Sequence, residues 1–162
     1  MSTKFMHGGD LWFMKISLER VELLDEVEVN IRYSTQIKEM ERIMSLLKSI
    51  NTRIKCSNNG SDKYISISDV YYFESVDKMT FAYCEHEVYR TDLRLYQIIE
   101  QFAHLGMVQI SKSCVLNINT LESIAPLFNS RMEALLINNE RVFVTRRYLE
   151  NLKHALQEVM SA

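Results

Sequence analysis

The residues of this 162-residue chain best suited to hold an anion are Thr145-Arg146-Arg147, which stand just ahead of an apolar-periodic segment. Guanidinium groups offer paired N–H donors in a planar fork that matches phosphate oxygens and the edge of guanine. At the start of a helix the backbone dipole is positive, which disfavours each cation by about 0.3–1 kcal/mol. Two arginines there suggest an offsetting anion; two solvated side chains, or one salt bridge, are the plain alternative. A second cluster, Gln109-Ile110-Ser111-Lys112-Ser113, sets hydroxyls and a lysine at a strand end with no intervening acid. Such groups bond phosphate oxygens or base edges, or simply form a polar loop. The third is Asp77-Lys78-Met79-Thr80, exposed at its tip if the flanking strands pair, and otherwise only a turn.

Catalytic chemistry finds no comparable support. His7, His86, His104 and His154 are scattered, with no HxxxH or HExxH spacing to place two imidazoles on one metal. GxSxG and a glycine-rich phosphate loop are absent, and four glycines leave little material for a nucleotide cradle. We therefore expect no enzyme, no cofactor, no metal and no small-molecule substrate. Cys56, Cys84 and Cys114 form an odd, widely spaced set without a CxxC pair, as suits core residues in a reducing compartment. With no long apolar run and no secretory leader, the expected location is the cytoplasm. The formal charge of −2 argues against a polyanion ligand, but from 105 to 154 six bases face four acids.

Elements that would position these clusters follow from the hydrophobic period. Residues 53–57 and 63–67 flank Asn58-Asn59-Gly60, a hairpin signature because Asn and Gly tolerate positive φ. Residues 70–75 and 79–85 flank Asp77-Lys78, and 88–91 supply a further strand. Leu95, Ile98, Ile99 and Phe102 mark a helix that Gly106 ends. Short strands follow at 108–110, 114–116, 123–128, 132–137 and 141–144, with Asn138-Asn139 as a tight turn. Asn117 and Asn119 read as turn caps. Thr145 is expected to cap a last helix bearing Leu149, Leu152, Leu156 and Val159. The pattern predicts a mostly β domain with short helices, built from stacked antiparallel sheets, over residues 52–162.

Ahead of it, residues 14–51 read as a small β-α unit. Val27, Val29, Ile31 and Tyr33 alternate as in a strand, and Ser34 or Thr35 would cap a helix. That helix carries Ile37, Met40, Met44 and Leu47 at spacings of three and four, widened by Ile43, Leu46 and Ile50. Such a face belongs to a core or to a dimer contact. Residues 1–13 show no period and are set apart as a leader or vector-derived segment.

Over about residues 53–156 the landmarks line up in one order: Val70-Tyr71-Tyr72-Phe73-Glu74-Ser75, the helix from Leu93 to Phe102, and Ile110-Ser111-Lys112-Ser113-Cys114-Val115-Leu116-Asn117. Leu121-Glu122-Ser123-Ile124, Asn129-Ser130-Arg131 and Val144-Thr145-Arg146-Arg147-Tyr148-Leu149 complete it. In this order the stretch resembles the LytTR-type DNA-binding domain of bacterial response regulators. The resemblance implies an elongated stack of short antiparallel sheets whose loops enter successive major grooves. It puts Lys112 just before the family's base-approaching serine and Arg146 at the family arginine of the last helix. It also implies a hairpin contact near Lys78 to Thr80, where some members carry a histidine that Met79-Thr80 replaces here.

Those members usually carry a receiver domain in front, whereas here only the short β-α segment precedes. The similarity is therefore to the stand-alone subgroup, controlled without phosphorylation, often by a protein partner and sometimes by a membrane protein. The expectation is a homodimer, joined partly through Ile37, Met40, Met44 and Leu47, on repeated half-sites of double-stranded promoter DNA. Base contacts would come from Lys112, Arg146 and the hairpin at Lys78 and Thr80, and phosphate contacts from Gln109, Ser111, Ser113, Arg131 and Arg147. The alternative is a protein-interaction module whose basic loops engage an acidic partner.

Overall fold

A computed structural model describes residues 2–3, 16–17, 19, 27–33, 38–128 and 131–160. Most of residues 1–13, the cap candidates Ser34 and Thr35, Ile37, Asn129, Ser130 and the side chain of Val159 lie outside the described set. The chain divides into two compact units, Met1–Tyr33 and Ser34–Ala162. In the first, β1 (Ser2–Thr3) pairs antiparallel with β2 (Ile16–Ser17). The expected strand at 27–33 is irregular backbone, and Val27 is 92% exposed. Alternation creates a strand only where a partner ladder takes up its N–H and C=O groups, and none is assigned there.

The second unit begins with α1 (Lys38–Asn51) and continues through β3 (Arg53–Asn58), β4 (Ser61–Ser66), β5 (Val70–Val76), β6 (Met79–Cys84) and β7 (Val88–Thr91). Next come α2 (Leu95–Phe102), β8 (Met107–Gln109), β9 (Cys114–Asn117), β10 (Leu121–Pro126), β11 (Met132–Leu136), β12 (Arg141–Val144) and α3 (Leu149–Met160). Seven strands form one sheet in the order β4-β3-β7-β6-β5-β9-β8, and β10-β11-β12 form a second. Every pairing is antiparallel, as expected from short strands joined by tight turns. Asn59 and Gly60 (φ 51° and 81°) make the first turn, and Asn139 (φ 68°) serves the last.

Two cores lie on opposite faces of the large sheet. Ile54, Val70, Phe73, Ala82 and Val115 meet Leu95, Ile98 and Phe102 of α2 on one face. Tyr71, Cys114 and Leu116 on the other meet Ala134, Leu136, Val142 and Val144 of the small sheet and Leu152 of α3. Strand β9 shows the two-sided pattern within four residues, since Val115 belongs to one core and its neighbours Cys114 and Leu116 to the other. Each fully buried apolar side chain contributes about 1.5–3 kcal/mol of transfer free energy.

Helix α1 packs differently. Its polar positions anchor it: Ser45 Oγ donates to the His104 carbonyl at 2.7 Å, and Ser66 Oγ donates to the Ser49 and Ile50 carbonyls at 3.1 and 2.9 Å. That hydroxyl satisfies carbonyls the helix end leaves without a partner. None of Met40, Ile43, Met44, Leu46, Leu47 or Ile50 joins either core, and Ile50 is 57% exposed.

Candidate nucleic-acid interface

The β5–β6 hairpin presents Asp77 and Lys78 at its tip, both in the left-handed region (φ 50° and 64°), as a type I′ turn requires. Lys78 is exposed, and Ser75 pairs with Thr80 at the base of the turn. Thr80 does not belong to this surface. It is 2% exposed and sits between Ser75 and Thr91 in adjacent strands, which corrects the expectation that it contacts a ligand. Successive strand residues point to opposite faces, so closeness in sequence to an exposed lysine gave no access.

The second cluster is the connection from β8 to β9. The Ile110 and Ser111 N–H groups donate to the Cys114 carbonyl at 3.0 and 3.3 Å. Ser113 N–H donates to Ser111 Oγ at 3.1 Å, which tightens the turn beneath an exposed Lys112. Gln109, half-buried, is still in β8 and pairs with Val115.

The third, Arg146–Tyr148, is a single 3-10 turn leading into α3, so the two arginines precede the α-helix and do not occupy its first turn. Thr145 makes no side-chain cap. Its N–H donates to the Ile110 carbonyl at 3.0 Å and its hydroxyl lies 3.4 Å from the same oxygen. With Thr145 turned toward β8, the chain closes through the tighter bond from Tyr148 N–H to the Thr145 carbonyl at 2.9 Å. Both arginines are exposed, and the Arg147 guanidinium lies 6.0 Å from the Tyr148 ring centre.

Two long-range backbone bonds join the three segments in a row. Ser75 N–H, beside the hairpin, donates to the Ser113 carbonyl at 2.8 Å, and the Thr145 bond to Ile110 ties the same connection to the arginine turn. Arg131 extends the row, because Met132 pairs with Val144 and places its neighbour level with Thr145. Lys78, Lys112, Arg146, Arg147 and Arg131 therefore stand on backbone segments that adjoin one another, a rim of loops on which all five side chains are exposed. Among the described residues, none of these five has a carboxylate within ion-pair distance. Beside Arg131, Leu127, Phe143 and Phe128 line a shallow cavity of about 280 Å³, and Phe128 is 95% exposed.

Arg94, which nothing in the sequence singled out, donates from its guanidinium to the Lys78 carbonyl. A cation between a strand and a helix carries no sign of reaching back to a hairpin tip. Beneath these loops burial, with Glu74 nearby, pushes the Cys114 thiol up to about 12. Burial likewise takes Cys56 to about 11, with a Thr91 hydrogen bond opposing, and Cys84 to about 12. Among the described residues no group of three or more His, Cys, Asp or Glu could hold a metal ion, and no helix is long and apolar enough to cross a membrane.

Comparison with known proteins bears on this geometry. The model of the LytTr DNA-binding domain matches residues 60–157, more than half of the chain. A sensory transduction protein LytT from Bacillus cereus is 27% identical over 93 residues, covering 57% of this chain and 38% of that protein. An uncharacterized HTH-type transcriptional regulator from Staphylococcus aureus is 28% identical over 92 residues, covering 57% and 62%. The match thus spans about four- to six-tenths of these relatives' own length. A solved LytTr DNA-binding domain of a methyl-accepting/DNA response regulator from Bacillus cereus superposes with a TM-score of 0.62 at 21% identity. It covers 65% of this chain and 96% of that one, so the mostly β, antiparallel architecture is the same fold. The chain belongs to the LytTR DNA-binding domain family.

Proposed function

We propose that this chain is a bacterial, cytoplasmic transcription regulator that reads double-stranded promoter DNA with the rim just described. Lys112, Arg146 and Lys78 meet base edges in successive major grooves, and Gln109, Ser111, Ser113, Arg131 and Arg147 hold phosphates. The observation that carries this reading is the joining of three exposed basic loops by the Ser75–Ser113 and Thr145–Ile110 backbone bonds, with no acid paired to their cations among the described residues. Loops fixed on sheets can hold side chains in register with a groove, as a recognition helix does elsewhere.

Two copies act together on repeated half-sites, joined partly through α1. Supporting this, Met40, Met44 and Leu47 stand outside both cores, Met44 is 37% exposed, and the helix is anchored by serines. A regulatory protein partner, in some settings a membrane protein, would control the dimer.

Binding to the DNA upstream of the protein's own gene, followed across a salt series, tests the proposal. Affinity should fall on the order of 10³-fold between low and moderate salt if about six phosphates are neutralised. The native fragment should bind more tightly than a scrambled one of equal length. Equal affinity for both fragments, or a flat salt response, would overturn it.

A further inference from the structure

Resting on that reading, we infer that Arg94 is a positioning residue for the DNA-reading hairpin: its guanidinium holds the carbonyl of Lys78 and fixes where the Lys78 side chain points.

The turn needs such a restraint. Type I′ hairpins favour Asn-Gly because both central residues take positive φ, yet here an aspartate and a lysine occupy those positions at 50° and 64°. An L-residue bearing a long side chain is disfavoured in that region by about 1 kcal/mol or more. A charge-assisted hydrogen bond to the carbonyl of the strained residue offsets this and removes alternative orientations of the peptide.

Arg94 is itself well held. Thr80 pairs with Thr91, which brings the end of β7 beside the base of the hairpin. Thr91 Oγ1 donates to the Lys55 carbonyl at 3.2 Å and accepts from Leu93 N–H at 3.3 Å. Arg94 N–H donates to Gln97 Oε1 at 2.8 Å at the start of α2, whose Leu95 and Ile98 are buried in the first core. The side chain therefore departs from a rigid junction. The hairpin is tied on two sides, at its base by Ser75 to Ser113 and at its tip by Arg94 to Lys78. With both ties, Lys78 is presented at a fixed distance from Lys112, as reading of a particular base requires.

The test uses the full chain and a duplex that the wild-type protein enriches from a random 30-base-pair library, with a scrambled duplex as reference. R94A should lower the ratio of specific to scrambled affinity about tenfold while the slope of affinity against salt stays unchanged. A slope smaller by about one, with the ratio intact, would make Arg94 a phosphate contact and overturn the inference. Adding K78A to R94A should lose no more than the larger single effect, since both act through one side chain; full additivity overturns it. Amide exchange at Met79 in the free protein should rise about fivefold in R94A. An unchanged rate removes the restraint whatever happens on DNA. Enrichment of no sequence by the wild type overturns the DNA reading, and this role for Arg94 with it.

Discussion

Two regions of the β unit use the same residue types to opposite ends. On the β3–β4–β7 side, Lys55 lies 2.7 Å from Asp62, Lys63 is 3.5 Å from Glu87 and stands over the Tyr89 ring, and Arg90 is 3.9 Å from Asp92. On the rim, Lys78, Lys112, Arg131, Arg146 and Arg147 have no such partner among the described residues, and Asp77 is the acid within those segments. The three pairs on one side are neutral in sum, while the turns on the other carry cations that no described acid compensates. A chain with formal charge −2 can thus offer a polyanion a basic strip, because local pairing and not the total sets the field at a surface.

The largest effect should come from the rim. Alanine at Lys112 or Arg146 is expected to weaken binding to a selected duplex by about 1–3 kcal/mol each, or roughly 5- to 150-fold, and the two together by close to the product. Melting temperature should stay within about 3 °C of wild type, since neither exposed side chain supports the cores. Equal binding by wild type and the double variant would sink the assignment of these two residues. A loss of the same size on replacing Lys63 would erase the distinction between the two regions.

Much of this architecture was legible in advance, for local reasons. Asn59-Gly60 and Asn139 mark turns by their tolerance of positive φ, and Leu95, Ile98 and Phe102 repeat at helical spacing over the apolar face that they cover. What escaped is decided by pairing across the chain. The irregular register between Val70 and Tyr72 and the inward turn of Thr80 depend on neighbouring strands, and a one-residue shift exchanges the faces. The clusters at 77–78, 111–113 and 145–147 could each be found in the sequence, but their joining through Ser75, Ile110 and Thr145 is long-range backbone bonding that no local period encodes. The arginine turn was misjudged because Thr145 is drawn to Ile110 and does not cap the helix.

The ground beneath the two regions can be compared through its thiols. Cys56 lies in the core on the β3 side at 2% exposure, and Cys114 beneath the rim at 8%. Burial raises their pKa values from about 9 to about 11 and about 12. Above pH 9 the unfolded chain ionises these thiols while the folded chain keeps them neutral, so the unfolded state binds fewer protons and stability falls as pH rises. The contribution is intact below pH 9 and diminishes toward pH 11–12, at about 1.4 kcal/mol per pH unit for each thiol. Denaturant melts of wild type, C56A and C114A from pH 8.5 to 10.5 read this directly. Each variant should show a shallower decline; a slope unchanged in C114A alone would mean that water reaches the core under the rim.

A smaller effect is expected on the paired side. Replacing Lys63 with alanine removes an exposed ion pair and a contact over Tyr89, so the melting temperature should move by about 3 °C or less. Affinity for the selected duplex should remain within about twofold of wild type. A marked loss of DNA binding would extend the interface across β4 and require the partnered cations to exchange their acids for phosphates.

The smallest change should follow T80V, which distinguishes access from mere closeness to the rim. Thr80 adjoins Met79 at the hairpin tip, yet its side chain is enclosed between Ser75 and Thr91, and no hydrogen bond of its hydroxyl to a described residue holds the turn. Valine keeps the β-branched shape, and the hydroxyl it removes bonds to no described residue, so the strand geometry that sets Lys78 persists. Affinity for the selected duplex should stay within about twofold of wild type, against at least a tenfold loss for K78A. If T80V instead lost as much as K78A, with amide exchange at Met79 unchanged, the hydroxyl itself would be in contact with DNA. The hairpin would then have to open on binding, and the rim could not be the preformed surface that the Ser75 and Arg94 bonds imply.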